Sequence, residues 1–244
     1  MKKNNAEAAN DWFRIENVET LDSPSLLIYA SRARRNIQTM IERSGGVARL
    51  MPHVKTNKMP AVVEMMLEAG ITHFKCATIA EAEMLALSGA RWALIAHQLV
   101  PPKTARLLAL QRAYPAVFFA SLLDNMLTAE RHSEFFSERG AVSEAFLDVD
   151  NGMNRSGAPL RVAELCELYQ AVAALPGVRL HGLHVYDGHI RDEDFAERRG
   201  KIEAGFAAVE EARARRRNVG AVARGRRALR RAVPRLPDSA SLRR

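Results

Sequence analysis

The sequence predicts an α/β fold, a TIM-like (β/α)8 barrel in which seven strand–helix units are visible and the last strand is missing. Three observations lead there. Short apolar runs alternate with helical patterns at fairly regular spacing, and parallel neighbouring strands need such helical crossovers. The strand runs are continuously apolar rather than alternating, as strands covered on both faces are. Seven such units approach the eight that close a barrel.

Taken in order, "SLLIYA" (25–30) reads as the first strand and "SRARRNIQTMIERSG" as its helix. "ARLMPHV" (48–54) reads as the second strand, followed by the helix "PAVVEMMLEAG", which Pro60 opens and Gly70 closes. "THFKCAT" and "AEAEMLALSGA" repeat the unit, with Gly89 as the stop. "RWALIAH" leads into "PPKTARLLALQRAY", whose prolines suit a helix start. "AVFFASL" precedes "NMLTAERHSEFFSERG", and "EAFLDVD" precedes "LRVAELCELYQAVAAL". The seventh unit pairs "VRLHGLHVYDGH" with "FAERRGKIEAGFAAVEEA".

Near residue 216, where an eighth strand belongs, the chain becomes rich in Arg, Ala, Gly and Pro without periodicity. Residues 1–212 are therefore expected to form the barrel domain and 213–244 a disordered tail. GC-rich codons read out of frame give this composition, so a frameshift near residue 212 is one expectation; a natural basic tail is the alternative.

The 244 residues carry a net charge of +8, with 48% hydrophobic and 26% charged residues, ordinary values for a globular domain. The charge is uneven. Residues 213–244 hold 12 Arg and one acid, a net of +11, so the other residues carry 24 basic and 27 acidic groups, or −3. That distribution argues against a nucleic-acid-binding face on the folded part and leaves only salt-sensitive, non-specific binding through the tail. No apolar stretch approaches the ~18 residues of a membrane span, and "MKKNNAEAANDWF" lacks the apolar core of a signal peptide. Cys76 and Cys166 stand far apart, in no metal-binding spacing. The expected compartment is the cytoplasm.

A parallel barrel gathers its active site at the C-terminal ends of its strands. His53 and Lys55 close the second strand, Cys76 and Thr78 the third. Asp148, Asp150 and Asn151 close the sixth, with Arg155 in the loop after them, and His181, His184, Tyr186, Asp187 and His189 stud the seventh. A lysine in a largely apolar pocket loses proton affinity, so its neutral amine becomes available to form Schiff bases with aldehydes, pyridoxal phosphate among them. An arginine can bond such a cofactor's ring oxygen, a tyrosine its phosphate, and an imidazole can stack on the ring or move protons. A strand-end lysine and core histidines without any chemistry are the plainer alternative.

The motifs "PHVKTNK", "MLEAGITHFKCATIAEAEML", "LDVDNGMNRSG" and "GLHVYDGHI", in this order, resemble the D-threonine aldolase and D-serine dehydratase group. These are alanine-racemase-like, fold type III pyridoxal-phosphate enzymes. The resemblance runs from about residue 12 to 212 and implies the alanine racemase N-terminal type of barrel. It also implies that Lys55 is the cofactor lysine and that Arg155 contacts the pyridoxal ring oxygen. His53 and Tyr186 then complete the cofactor contacts, and His189 joins Lys55 in catalysis. Asn57 stands where the group usually has histidine, a departure expected to be tolerated.

The implied function is a pyridoxal-phosphate-dependent lyase acting on β-hydroxy-D-amino acids, with a small D-amino acid as partner and a homodimer as the intact family's assembly. A non-catalytic pyridoxal-phosphate-binding barrel and an amino-acid racemase are the alternatives. Family members carry a divalent metal on a C-terminal β-domain, and residues 190–244 contain no histidine or cysteine. No metal ligand is therefore assigned, and impaired activity is expected for this chain.

Overall fold

A computed structural model describes residues 12–223, with side chains through Arg215. Seven helices and six strands alternate in it: α1 (Ala30–Ser44), α2 (Pro60–Glu68), β1 (His73–Cys76), α3 (Ile79–Leu87), β2 (Trp92–Gln98), α4 (Lys103–Ala113), β3 (Phe118–Leu123), α5 (Met126–Ser137), β4 (Ser143–Asp150), β5 (Ala158–Pro159), α6 (Val162–Ala173), β6 (Val178–Val185) and α7 (Phe195–Ala223). All strand pairs are parallel. The order is β1-β2-β3-β4, with β6 along β4 and the short β5 on the last residues of β4.

The strand alternation sorts side chains between two layers. Phe74, Cys76, Ala93, Ile95 and Phe119 pack with α2, α3 and α4 in the largest core cluster. Leu147 and Val149 pack with Leu165 and Tyr169 of α6 and with Ala212 of α7. The opposite, inward face carries Trp92, Leu94, Ala96, Phe118, Ala120, Leu122 and Phe146. Near the start of the strands this face is aromatic: Trp92 stacks on Phe118 at 5.1 Å, and His181 meets the Phe118 ring edge-on at 5.0 Å. Glu144 holds His181 from β4 and also accepts from Arg179 at 2.6 Å.

Two expected strands are not strands. Residues 25–29 have no regular structure and pair with no strand among the described residues, Ala30 already opens α1, and Leu26, Leu27 and Ile28 are 77%, 42% and 43% exposed. An apolar run becomes a strand only where a neighbour takes its backbone bonds, and none stands beside this one. Residues 48–54 run instead between two short 3-10 turns, Val47–Arg49 and Val54–Thr56. Pro52 lacks an N–H to give to a ladder, so a single bridge between His53 and Lys75 is what ties this stretch to β1.

The expected boundary at residue 212 falls inside α7. Ala212 is buried, and Arg213 and Arg215 extend the helix with ion pairs to Glu210 and Glu211 at 2.9 and 2.7 Å. A helix, not an eighth strand, occupies the chain around residue 216. The remainder of the expected tail, 224–244, lies outside the described residues.

Candidate active site

The motif carrying Lys55 is a tight turn locked to the next unit. His53 Nδ1 accepts the Lys55 backbone N–H at 3.2 Å, and Lys58 N–H closes on the Val54 carbonyl at 2.8 Å. Val54 is fully buried and anchors the turn, so Lys55 points its exposed side chain away from that core. Lys58, at φ 49°, reaches Glu81 Oε1 at 3.5 Å. Glu81 is itself buried; its other oxygen accepts the Ala77 N–H at 2.7 Å, and Thr78 Oγ1 caps α3 by accepting the Glu81 N–H at 3.1 Å. Asn57 caps the following stretch, accepting the Met59 N–H at 3.3 Å, a role within reach of its short amide. Burial, then the neighbouring Lys55, push His53 down to about 4, with Lys75 and His97 adding to the effect and Glu81 opposing it. The imidazole is thus neutral at pH 7, as its acceptor role requires.

Beside this turn, the Lys75 N–H donates to the Pro52 carbonyl at 2.8 Å. The Lys75 side chain lies on the inward face, where its Nζ meets His184 Nε2 at 2.8 Å. His184 Nδ1 lies 2.6 Å from Asp148 Oδ1, and Asp148 Oδ2 accepts from Ser156 Oγ at 3.1 Å. The buried carboxylate accepts the Nδ1 proton, which leaves the Nε2 lone pair to accept from Lys75. Four strands' width is crossed by one line of side chains. Burial lowers the Lys75 ammonium from its usual range and Lys55 adds to that, while Asp148 works against it.

Arg155 stands on a loop that the sequence shapes closely. Asp150 Oδ1 accepts the N–H groups of Gly152 and Asn154 at 2.9 and 3.0 Å. Gly157 has φ 104°, and a Cβ there would come within 2.6 Å of the Asp150 backbone nitrogen, so only glycine fits. Its N–H donates to Asp124 Oδ2 at 3.1 Å. The loop thus returns Arg155 over the strand ends, its guanidinium 5.1 Å from the Tyr186 ring centroid. Between them opens a cleft lined by Ala96, Leu122, Asp148, Arg155, Ser156, His184 and Tyr186.

Of the residues singled out in the sequence, Arg155 and Tyr186 meet in this cleft, and His53 and Lys55 form the neighbouring turn. Lys75 and His184 join the two groups. His189 lies against the backbone of Gly152, where an added Cβ would sit 3.1 Å from its Nε2, and does not line the cleft. Lys75 was assigned no role from the sequence, although a lysine inside an otherwise apolar strand on the same face as His73 was a visible signal. Asp148 and His184 were legible as strand-end residues, but their pairing was not. Among the described residues no group of three or more His, Cys, Asp or Glu is placed to hold a metal ion. No described helix is long and apolar enough to cross a membrane.

Residues 28–229 match the alanine racemase N-terminal domain family. The chain belongs to that family. It is similar to the D-threo-3-hydroxyaspartate dehydratase of Delftia sp. (strain HT23), 31% identical over 175 residues that make up 69% of this chain and 45% of that protein. The crystal structure of D-threonine aldolase from Filomicrobium marinum superposes with a TM-score of 0.72 at 27% identity, covering 82% of this chain and 54% of that one. The solved structure of the Delftia dehydratase gives a TM-score of 0.68 at 28% identity, covering 80% and 52%. This chain thus spans about half the length of these relatives. Their fold places its parallel sheet within the barrel type that the sequence predicts.

Proposed function

We propose that this chain is the cofactor-binding barrel of a pyridoxal-phosphate-dependent lyase acting on β-hydroxy-D-amino acids. The observation that carries the reading is the convergence of the Lys55 turn and the Arg155–Tyr186 cleft on one end of a parallel sheet, joined by Lys75 and His184. Relatives named as a D-threonine aldolase and a D-threo-3-hydroxyaspartate dehydratase support the reaction class and the substrate class.

The donor set suits the cofactor. Lys55 offers a primary amine to its aldehyde carbon, Arg155 a guanidinium for an anionic oxygen, and Tyr186 a phenol and a ring face. Bound there, pyridoxal phosphate supplies an electron sink for bonds broken at the amino acid's α-carbon. His53 keeps the Lys55 turn in place through its neutral Nδ1. Arg155 and Tyr186 orient the ring. Asp148 holds His184 in the tautomer that presents Nε2 to the interior, and His189 backs the Arg155 loop. The described residues do not fit a metal site, so no step is assigned to a metal. The two cysteines are free, which accords with a reducing cytoplasm.

The test is a spectrophotometric titration of the purified protein with pyridoxal phosphate, followed by addition of D-threonine or D-3-hydroxyaspartate. Saturable binding weakened by Arg155→Ala, with spectral changes specific to the D-isomers, is the expected result. Binding indifferent to Arg155, or equal responses to L-isomers, would remove the reading.

A further inference from the structure

The loop that carries Arg155 is fixed on both sides of that residue. Ahead of it, Asp150 Oδ1 accepts the Gly152 and Asn154 N–H groups at 2.9 and 3.0 Å. Behind it, the Gly157 N–H donates to Asp124 Oδ2 at 3.1 Å. Between these fixed amides, Ser156 Oγ donates to Asp148 Oδ2 at 3.1 Å. Asp148 is aimed at the loop from behind. It is buried on β4, its Oδ1 lies 2.6 Å from His184 Nδ1, and His184 Nε2 meets Lys75 Nζ at 2.8 Å. With Oδ1 committed to β6, Oδ2 faces the loop, and a buried carboxylate oxygen left without a donor is costly. Ser156, an exposed residue whose hydroxyl reaches inward, supplies that donor.

We infer that Ser156 is a positioning residue for Arg155: its hydroxyl, seated on Asp148, sets the turn of the loop and so holds the guanidinium over Tyr186. The inference rests on the reading that Arg155 meets an anionic oxygen of pyridoxal phosphate. Arg155 and Ser156 both line the cleft, and the guanidinium stands 5.1 Å from the Tyr186 ring centroid. The two residues share one planar peptide unit. Pinning the Ser156 side chain therefore restricts that unit's rotation and the direction in which the arginine leaves the backbone. An arginine fork rewards a fixed approach, because its N–H groups must meet the anion together. Without the tie, Asp150 and Asp124 still hold the loop's flanks, but the guanidinium samples more directions. The cost of ordering it then falls on cofactor binding instead of on folding.

The experiment is a double-mutant cycle on the full chain, with pyridoxal phosphate affinity read by spectrophotometric titration. Ser156→Ala should weaken binding about threefold to tenfold, the effect of losing one hydrogen bond to a carboxylate. Ser156→Thr, which keeps the hydroxyl, should bind within about twofold of the parent. In the Arg155→Ala background, Ser156→Ala should change the affinity by less than about twofold, since no guanidinium remains to be aimed. Arg155→Gln serves as the background should Arg155→Ala bind too weakly to titrate. Equal weakening by Ser156→Ala in both backgrounds would give the serine a general structural role and overturn the inference. An Arg155→Ala chain that binds as tightly as the parent overturns the cofactor reading beneath it. Weakened binding in Arg155→Ala with full affinity in Ser156→Ala overturns the role of Ser156 alone.

Discussion

Lys75 Nζ and His184 Nε2 lie 2.8 Å apart, although β1 and β6 stand at opposite ends of the strand order. A flat sheet with three strands between them would hold the two side chains far apart, since neighbouring strands are spaced about 4.8 Å. The sheet is therefore strongly curved, and its inward face is the concave wall of a barrel-type fold. One side-chain contact records the curvature that the family shares, and it does so at the layer where Asp148 and Tyr186 form the cleft.

The cleft depends on a glycine that supports Tyr186. A Cβ on Gly188 would come within 2.2 Å of the Tyr186 ring and hydroxyl. Gly188→Ala should therefore push the tyrosine out of the cleft while the remainder of the fold stays intact, because the clash is with the movable end of a side chain. Pyridoxal phosphate binding should weaken about fivefold to tenfold, equivalent to about 1–1.4 kcal/mol, with the far-ultraviolet circular dichroism unchanged. Unaltered affinity would show that Tyr186 contributes nothing to holding the cofactor.

Two other glycines predict opposite signs. Gly177 lies against Ser133, whose carbonyl oxygen would be 2.0 Å from an added Cβ, and its N–H donates to Ser133 Oγ at 2.9 Å. Backbone cannot yield there as a side chain can, so Gly177→Ala should lower stability by about 1–3 kcal/mol or more. Gly200 lies inside α7 with nothing within 4 Å of an added Cβ. Gly200→Ala should raise stability by about 0.5–1 kcal/mol. Urea denaturation of both variants checks the pair.

His132 is buried and bonded to Ser143 Oγ at 2.8 Å through Nε2, while its Nδ1 has no partner. Burial pushes it from 6.5 down to about 4. Because the unfolded chain binds the proton more tightly than the folded one, this histidine's contribution to stability is complete above pH 6.5. It is lost progressively as pH falls toward 4, by an amount on the order of 3 kcal/mol. Unfolding midpoints measured between pH 8 and 4.5 should show that decline, and His132→Gln should flatten part of it. His53, pushed down to about 4 as well, acts in the same direction near the site.

The sequence showed the helices from Pro60 onward and the strands from His73 to Val185, except the two-residue β5, because periodicity, proline starts and glycine stops agreed there. The two early strands were misread for one physical reason. "SLLIYA" has strand composition, but a strand needs neighbours to take its backbone bonds, and an apolar run does not reveal whether they exist. In "ARLMPHV" the interruption was visible as Pro52. The site divides similarly. Lys55, Arg155 and Tyr186 stand in motifs whose residue types suit the proposed chemistry. Lys75 and Asp148 depend on strands brought face to face by curvature, and no local pattern encodes that meeting. The contact of Lys58 with the buried Glu81 is of the same kind: both residues were in view, 23 positions apart, and only the fold shows that one holds the other.

The identity of the lysine that holds the cofactor tests the account most directly. The purified chain is mixed with pyridoxal phosphate, reduced with borohydride, digested and mapped by mass spectrometry. The account predicts a pyridoxyl group on Lys55, abolished by Lys55→Ala and retained in Lys58→Ala. Labelling of Lys58 or Lys75 in its place, or labelling that persists undiminished in Lys55→Ala, would contradict it.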